Sequence, residues 1–350
     1  MTTEKKPAVA FIGTGIMGAP IAGHILDAGY PLTVYNRTKA RAAGLIGRGA
    51  AWADSAAEAV ASADIVFTMV GYPKDVEELY LAGDDGIIAA SKPGAWLIDL
   101  TTSSPELARD IAEAARAAGR RAFDCPVTGG EPGARAGSLT LICGATEEGI
   151  TPVRDVLETF GEKVYCFGGP GSGQAAKLCN QVALAASMVG MADSLSLAQQ
   201  CGLDQEKVRE MICGGTGASG AMETLAPKSL DGDYKPGFMV EHFIKDLKLA
   251  LQTAEDKEIA LPGADTAFTL YDMLEAIGGA KLGTQAITLL YQEEGEAVAA
   301  GLDWSLYHGA SEPGEGRGGC GDPDCACGHG DDPDHACACG RGGAALADGE

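Results

Sequence analysis

The stretch "AVAFIGTGIMGAPIAGHILDAGY", residues 8 to 30, sets the fold. Its first six residues read as a buried strand, and the residues from about 16 to 28 have the spacing of an amphipathic helix. At the junction Gly13, Gly15 and Gly18 stand in G-x-G-x-x-G order. Gly13 suits the tight turn, Gly15 lets a pyrophosphate approach the backbone, and Gly18 lets helix and strand pack closely, with the helix N-terminus toward the phosphates. In a chain with 50 glycines that spacing carries little by itself. The context supplies the rest: a strand before, a helix after, and a second strand ending about 20 residues further on. The stretch predicts a dinucleotide site.

The second strand ends in "VYNRTKAR". A carboxylate at this point would accept from a ribose 2′-hydroxyl and repel a 2′-phosphate. Here Asn36 is neutral, Arg37 follows, and Thr38 adds a hydroxyl, which favours NADP(H) over NAD(H). The competing reading leaves Arg37 as a solvated surface residue and NAD(H) as the cofactor. Ile16 and Met17 in the glycine loop, with Met69 and Val70 at the end of "DIVFTMV", complete the expected cofactor contacts from this part of the chain.

Working outward, short apolar runs recur at 8–13, 31–36, 64–70, 95–100, 121–127, 139–144 and 163–168, with helical stretches such as 105–118 between them. This alternation predicts an α/β Rossmann domain with a parallel sheet covered on both faces, over residues 1–168. Beyond it, helical patterns at 173–201, 204–213, 241–256, 264–277 and 283–300 predict an all-α domain over 169–309. Residues 310–350 form a Cys-rich tail almost without large apolar side chains.

The formal net charge of −23 argues against nucleic acid and anionic membranes as partners. The opening "MTTEKKPAVAFIG" shows no separate apolar segment or cleavage site, and the uncharged run 178–192 is short and contains Asn180, Gln181, Ser187 and Gly190. A soluble cytoplasmic protein is expected, with the six cysteines at 125, 143, 166, 179, 201 and 213 as buried thiols. An apolar helical domain of this kind also predicts a homodimer or homotetramer.

Between Lys163 and Asp193 the only charge is Lys177. On a helix Lys177, Asn180 and Gln181 share one face, so an ammonium and two amides converge. Burial beside a second cation would lower the lysine pKa and allow proton exchange near neutrality. The alternative is a structural lysine neutralising a carboxylate, although no acid lies on the neighbouring turns. Thr128, Gly129 and Gly130 in "FDCPVTGGEPGARAGSLT" offer a hydroxyl and backbone N–H groups to a substrate carboxylate, or simply form a flexible loop. Lys245 and Asp246 in "FIKDLKLAL" read, on their own, as a solvated ion pair.

Together these stretches resemble the β-hydroxyacid dehydrogenase family. Four motifs carry the likeness in the family's order: "FIGTGIMGAPIA", "DCPVTGGEPGARAGSL", "GSGQAAKLCNQ" and "FIKDLKLAL", and it extends over about residues 8 to 305. The resemblance implies a 6-phosphogluconate dehydrogenase-like helical domain after the Rossmann domain. It implies Lys177 as the catalytic acid or base, Asn180 as an orienting group, and Thr128, Gly129 and Gly130 as the carboxylate site. It also implies cofactor contacts from Thr102 and from Lys245, the latter near the reaction centre. The segments "VTGGEP", "KLCNQV", "GGTGASG" and "YKPGF" look most like the tartronate semialdehyde reductases within it. The implied reaction is hydride transfer to a small aldehyde or keto acid, with Lys177 donating the proton. Acids such as 3-hydroxyisobutyrate, glyoxylate or succinic semialdehyde differ from that substrate by margins of about 1 to 3 kcal/mol, too small for motifs to separate. Thr128 stands where many relatives have Ser, Gly71 where they often have Pro, and Cys125 where a small residue is common.

The tail departs from that pattern. It contains a ten-residue imperfect repeat over 321–340 and offers Cys320, Cys325, Cys327, His329, His335, Cys337 and Cys339, soft donors sufficient for zinc or a similar metal in a spacing that matches no standard zinc motif. The competing reading is a disordered acidic extension. If the tail carried the function, the body would be an NADP-binding scaffold, but a scaffold has no need of Lys177 and Asn180.

Overall fold

A computed structural model describes residues 6–292 and 294–307. Six strands, β1 (Val9–Ile12), β2 (Leu32–Tyr35), β3 (Ala51–Trp52), β4 (Ile65–Thr68), β5 (Trp96–Asp99) and β6 (Arg121–Asp124), form an all-parallel sheet in the order β3-β2-β1-β4-β5-β6. The β1 residues are buried throughout, as a strand covered on both faces requires. Phe11, Ile21, Ile25, Phe67 and Phe160 pack on one face, and Ile12, Val66, Tyr80, Ile87 and Leu97 on the other. Strand β3, two residues long, is too short to leave a sequence pattern.

The predicted strand 121–127 is broken in two. Pro126 has no N–H for the ladder, so pairing with β5 stops and the chain crosses to a second sheet. There β7 (Val127–Thr128) runs antiparallel to β8 (Leu139–Cys143), which is parallel to β9 (Gly161–Cys166). The parallel sheet therefore accounts for six strands, and a small mixed sheet holds the rest.

Helices relevant to the site are α1 (Gly18–Asp27), α2 (Pro73–Leu81), α3 (Pro105–Ala117), α4 (Gly130–Ala136), α5 (Ser172–Gln200), α6 (Gln205–Cys213), α7 (Val240–Asp256) and α8 (Pro262–Ala276). By composition α5 is long and apolar enough to cross a bilayer. In the structure it is the central helix of the helical half, where Met188, Met191 and Leu195 share a core with Phe243, Leu247, Tyr271 and Leu274. The helix expected over 283–300 is instead a 3₁₀ helix, Thr284–Tyr291, followed by a short α-helix, Glu294–Ala299. Side chains compete for its first carbonyls: Tyr271 Oη donates to Thr284 O, and Ser229 Oγ donates to Gln285 O.

The cysteine expectation holds for Cys125 and Cys143, which are buried with their sulfurs 3.4 Å apart. Cys166 and Cys213 are half-buried, and Cys179 and Cys201 are exposed because they fall on outward faces or ends of α5. All six are free thiols.

Candidate active site

The sheet order reverses between β1 and β4, so the loops leaving their C-terminal ends diverge and open a crevice. Gly13, Gly15, Ile16, Met17 and Gly18 line the β1 side. An added Cβ on Gly13 would lie 2.1 Å from Met69 O, and one on Gly18 would lie 1.9 Å from Gly13 O. On Gly15 it would meet nothing within 4 Å. Helix α1 starts without a side-chain cap or an acid in its first turn, and the buried Thr14 hydroxyl has no partner among the described residues. Those features fit a dinucleotide pyrophosphate.

Beyond β2, Asn36 is engaged at both ends: Oδ1 accepts from Thr14 N at 3.1 Å, and Nδ2 donates to Thr38 O at 2.9 Å. It braces the glycine loop. Arg37 and Thr38 are exposed, and Arg37 Nη1 lies 3.1 Å from Asp75 Oδ1. On the β4 side Met69 N donates to Ile12 O and Val70 N to Thr101 Oγ1, which fixes both residues at the crevice.

The loop after β5 rests on a buried acid. Asp99 Oδ1 accepts from Thr68 Oγ1 at 2.7 Å and from Thr101 N at 3.1 Å. Burial pushes its pKa up to about 6 against the lowering effect of those bonds, and the Asp124 charge adds to the rise. Gln174 clips the loop from the helical side, with Nε2 donating to Thr101 O and Oε1 accepting from Ser103 N. Lys245 Nζ donates to Thr102 O at 2.6 Å, so Thr102 and Lys245 meet directly.

Asp124, at the end of β6, seats α5. Its two oxygens accept from Gly171 N and Gln174 N, each at 2.7 Å, where an N-terminal cap would act. Burial raises the Asp124 pKa while these bonds hold it down. Gly173 is required at the seat, because a Cβ would lie 2.4 Å from Ile142 O. This join sets the height of Lys177.

Lys177 is buried, at 7% exposure, and makes no hydrogen bond among the described residues. Its pKa falls to about 8: burial lowers it most, Lys245 lowers it further, and Asp246 raises it. The acid absent from the neighbouring turns thus arrives from α7. The pair Lys245–Asp246, expected to be solvated, has a buried carboxylate and a half-buried lysine, with Nζ 2.9 Å from Oδ1 in an ion pair without hydrogen-bond geometry. Gln181 Nε2 donates to Asp246 Oδ2 at 2.6 Å, and Asn180 Nδ2 donates to Gln181 Oε1 at 2.8 Å. The two amides do not converge equally: Gln181 is turned into the protein, while Asn180 is partly exposed.

Thr128, Gly129 and Gly130 stand outside this bonded set. Thr128 pairs with Thr140 across the small sheet, whose β8 meets the foot of α5 through Ile142 and Gly173. Gly129 and Gly130 have φ of 124° and 60°, a turn that side chains resist. His24 of α1 joins the loop's helix to the cofactor half, with Nε2 at 3.1 Å from both Ala134 O and Arg135 O.

Residues 8–168 match the family described as the NAD binding domain of 6-phosphogluconate dehydrogenase, and residues 171–291 match the NAD-binding domain of NADP-dependent 3-hydroxyisobutyrate dehydrogenase. The chain belongs to the β-hydroxyacid dehydrogenase family. It is an NAD(P)-dependent hydroxyacid dehydrogenase of the 3-hydroxyisobutyrate dehydrogenase type. An uncharacterized oxidoreductase of Bacillus subtilis is 44% identical, covering 82% of this chain and 99% of its own. The 3-hydroxyisobutyrate dehydrogenase of Pseudomonas aeruginosa is 38% identical, over 76% and 91%. The structure of Mycobacterium tuberculosis 3-hydroxyisobutyrate dehydrogenase with L-serine superposes with a TM-score of 0.76 at 32% identity, covering 82% of this chain and 99% of its own.

Asp246, Gln174, Asp124 and Asp99 were not singled out from sequence as site residues. A carboxylate at the end of a buried strand is the one available signal, and it marks Asp99 and Asp124. The tail donors Cys320, Cys325, Cys327, His329, His335, Cys337 and Cys339 lie outside the described residues; among the described residues no group of three or more His, Cys, Asp or Glu could hold a metal ion.

Proposed function

We propose that this dehydrogenase interconverts tartronate semialdehyde, or a close aldehyde or keto acid, with its hydroxy acid, preferring NADP(H). The carrying observation is Lys177: a buried ammonium without a hydrogen bond among the described residues, with a pKa lowered to about 8, on the helix seated against the cofactor half. The nicotinamide, when bound, supplies or accepts the hydride. Lys177 polarises the substrate oxygen and donates a proton in reduction, then takes it back in oxidation. Lys245 and Gln181 keep the Asp246 carboxylate engaged, so it neither captures Lys177 nor stands free to repel an anionic substrate. Asn180 orients the substrate, and Thr128, Gly129 and Gly130 hold its carboxylate. Arg37, exposed after a β2 strand end without an acid, supports the preference for a 2′-phosphate.

Oxidation of 3-hydroxyisobutyrate is the second reading, favoured by the similarity to the Pseudomonas enzyme of that name. A cytoplasmic homodimer or homotetramer is part of the proposal; Leu197, Leu203 and Met211, exposed on and between α5 and α6, support self-association.

The test follows NADPH oxidation with tartronate semialdehyde, glyoxylate and succinic semialdehyde, and NADP⁺ reduction with 3-hydroxyisobutyrate. Turnover should fall by on the order of a thousandfold in Lys177→Ala, with NADPH binding retained. Native protein that binds NADPH and turns over none of these acids rejects the substrate assignment.

A further inference from the structure

We infer that Asp75 is a specificity-determining residue that limits affinity for a 2′-phosphorylated cofactor by occupying Arg37. The inference rests on the reading of Arg37 as the cation for that phosphate.

The β2 strand end carries no acid, and the amide that stands there, Asn36, is consumed by Thr14 and Thr38. The carboxylate comes from the other wall of the crevice. Asp75 is the third residue of α2, which follows β4, and its Oδ1 lies 3.1 Å from Arg37 Nη1. The two partners differ in freedom. Arg37 is 81% exposed, while Asp75 is 20% exposed and held through Oδ2, which accepts from Tyr72 N at 3.1 Å. The acid is therefore the fixed member, and the guanidinium has come to it. The next cation along, Lys39, is engaged over the Trp52 ring at 4.9 Å.

A 2′-phosphate reaching Arg37 has to share it with this carboxylate. Repulsion between the two anions offsets part of the attraction to the guanidinium. A 2′-hydroxyl carries no charge and meets no such opposition. Asp75 thus narrows the preference that Arg37 creates, so that both cofactors remain usable. An ordinary exposed ion pair, worth little, would predict no effect.

Equilibrium titration of NADPH and NADH by fluorescence on the full chain separates these cases. Asp75→Asn and Asp75→Gln both keep an acceptor for Tyr72 N, and thermal melts confirm which of them fold. NADPH affinity should rise on the order of threefold to tenfold in these variants, with NADH affinity unchanged. In an Arg37→Ala background the gain should vanish. If Arg37→Ala lowers NADPH affinity while neither Asp75 variant raises it, this inference fails and the reading of Arg37 stands. If Arg37→Ala leaves NADPH affinity unchanged, the reading of Arg37 fails and the inference with it.

Discussion

Gln181 Nε2 donates to Asp246 Oδ2 at 2.6 Å, tying α5 to α7 one turn beyond Lys177. The bond fixes the carboxylate whose charge raises the pKa of the Lys177 ammonium against the effect of burial. With Lys245 on the other oxygen, Asp246 is held between a cation and an amide, and its effect on Lys177 is electrostatic rather than a direct pairing. The lysine keeps its proton available for substrate.

The pH dependence follows from that balance. A lysine with its pKa lowered to about 8 is charged below that pH and neutral above it. Reduction needs the proton on Lys177, so kcat/KM should fall by roughly tenfold per pH unit above about 8. Oxidation needs the free amine and should rise through the same midpoint. Asp246→Asn removes a charge that raises the pKa, so both midpoints should move to lower pH, while the amide keeps an acceptor for Gln181. Steady-state profiles in the two directions check this; profiles that share no midpoint would remove Lys177 from the proton transfer.

The glycine loop gives a contrast between fold and binding. Gly18→Ala drives a Cβ into Gly13 O and should destabilise the protein by about 2 kcal/mol or more. Gly15→Ala meets open space and should leave the melting temperature within a degree or two of the native protein. The added methyl stands where the pyrophosphate approaches, so NADPH affinity should fall at least tenfold. Melting curves and cofactor titrations on the two variants separate the roles. Equal destabilisation by both would mean that Gly15 is structural.

How far the sequence carries this picture depends on range. The glycine loop was legible because strand, turn and helix lie within 20 residues, and Lys177 because one charge interrupts a long uncharged run. Asp246 was not legible, since it sits 65 residues from Gln181 and its burial depends on how α5 packs against α7. For the same reason "FIKDLKLAL" reads as a solvated pair: adjacent Lys and Asp look self-sufficient until a second helix covers them. The break at Pro126 is a local signal that an apolar run conceals. The 3₁₀ helix at 284–291 is set by Tyr271 and Ser229, which no local pattern connects to it.

Asp99 supplies a stability term with a definite sign. Its carboxyl is buried and its pKa is raised to about 6, so between about pH 4 and 6 the native state binds more protons than the unfolded chain. The stabilisation from the neutral acid is therefore complete below about pH 4 and is lost as pH rises through 6. Asp99→Asn keeps an oxygen to accept from Thr68 and Thr101 and has no charge to bury. Relative to native protein, the variant should gain on the order of 2 to 3 kcal/mol between pH 4 and pH 7. Denaturant titrations of both proteins at a series of pH values measure the difference directly. A difference that stays flat across this range would mean that Asp99 remains ionised in the core, with Thr68 and Thr101 holding its charge against burial.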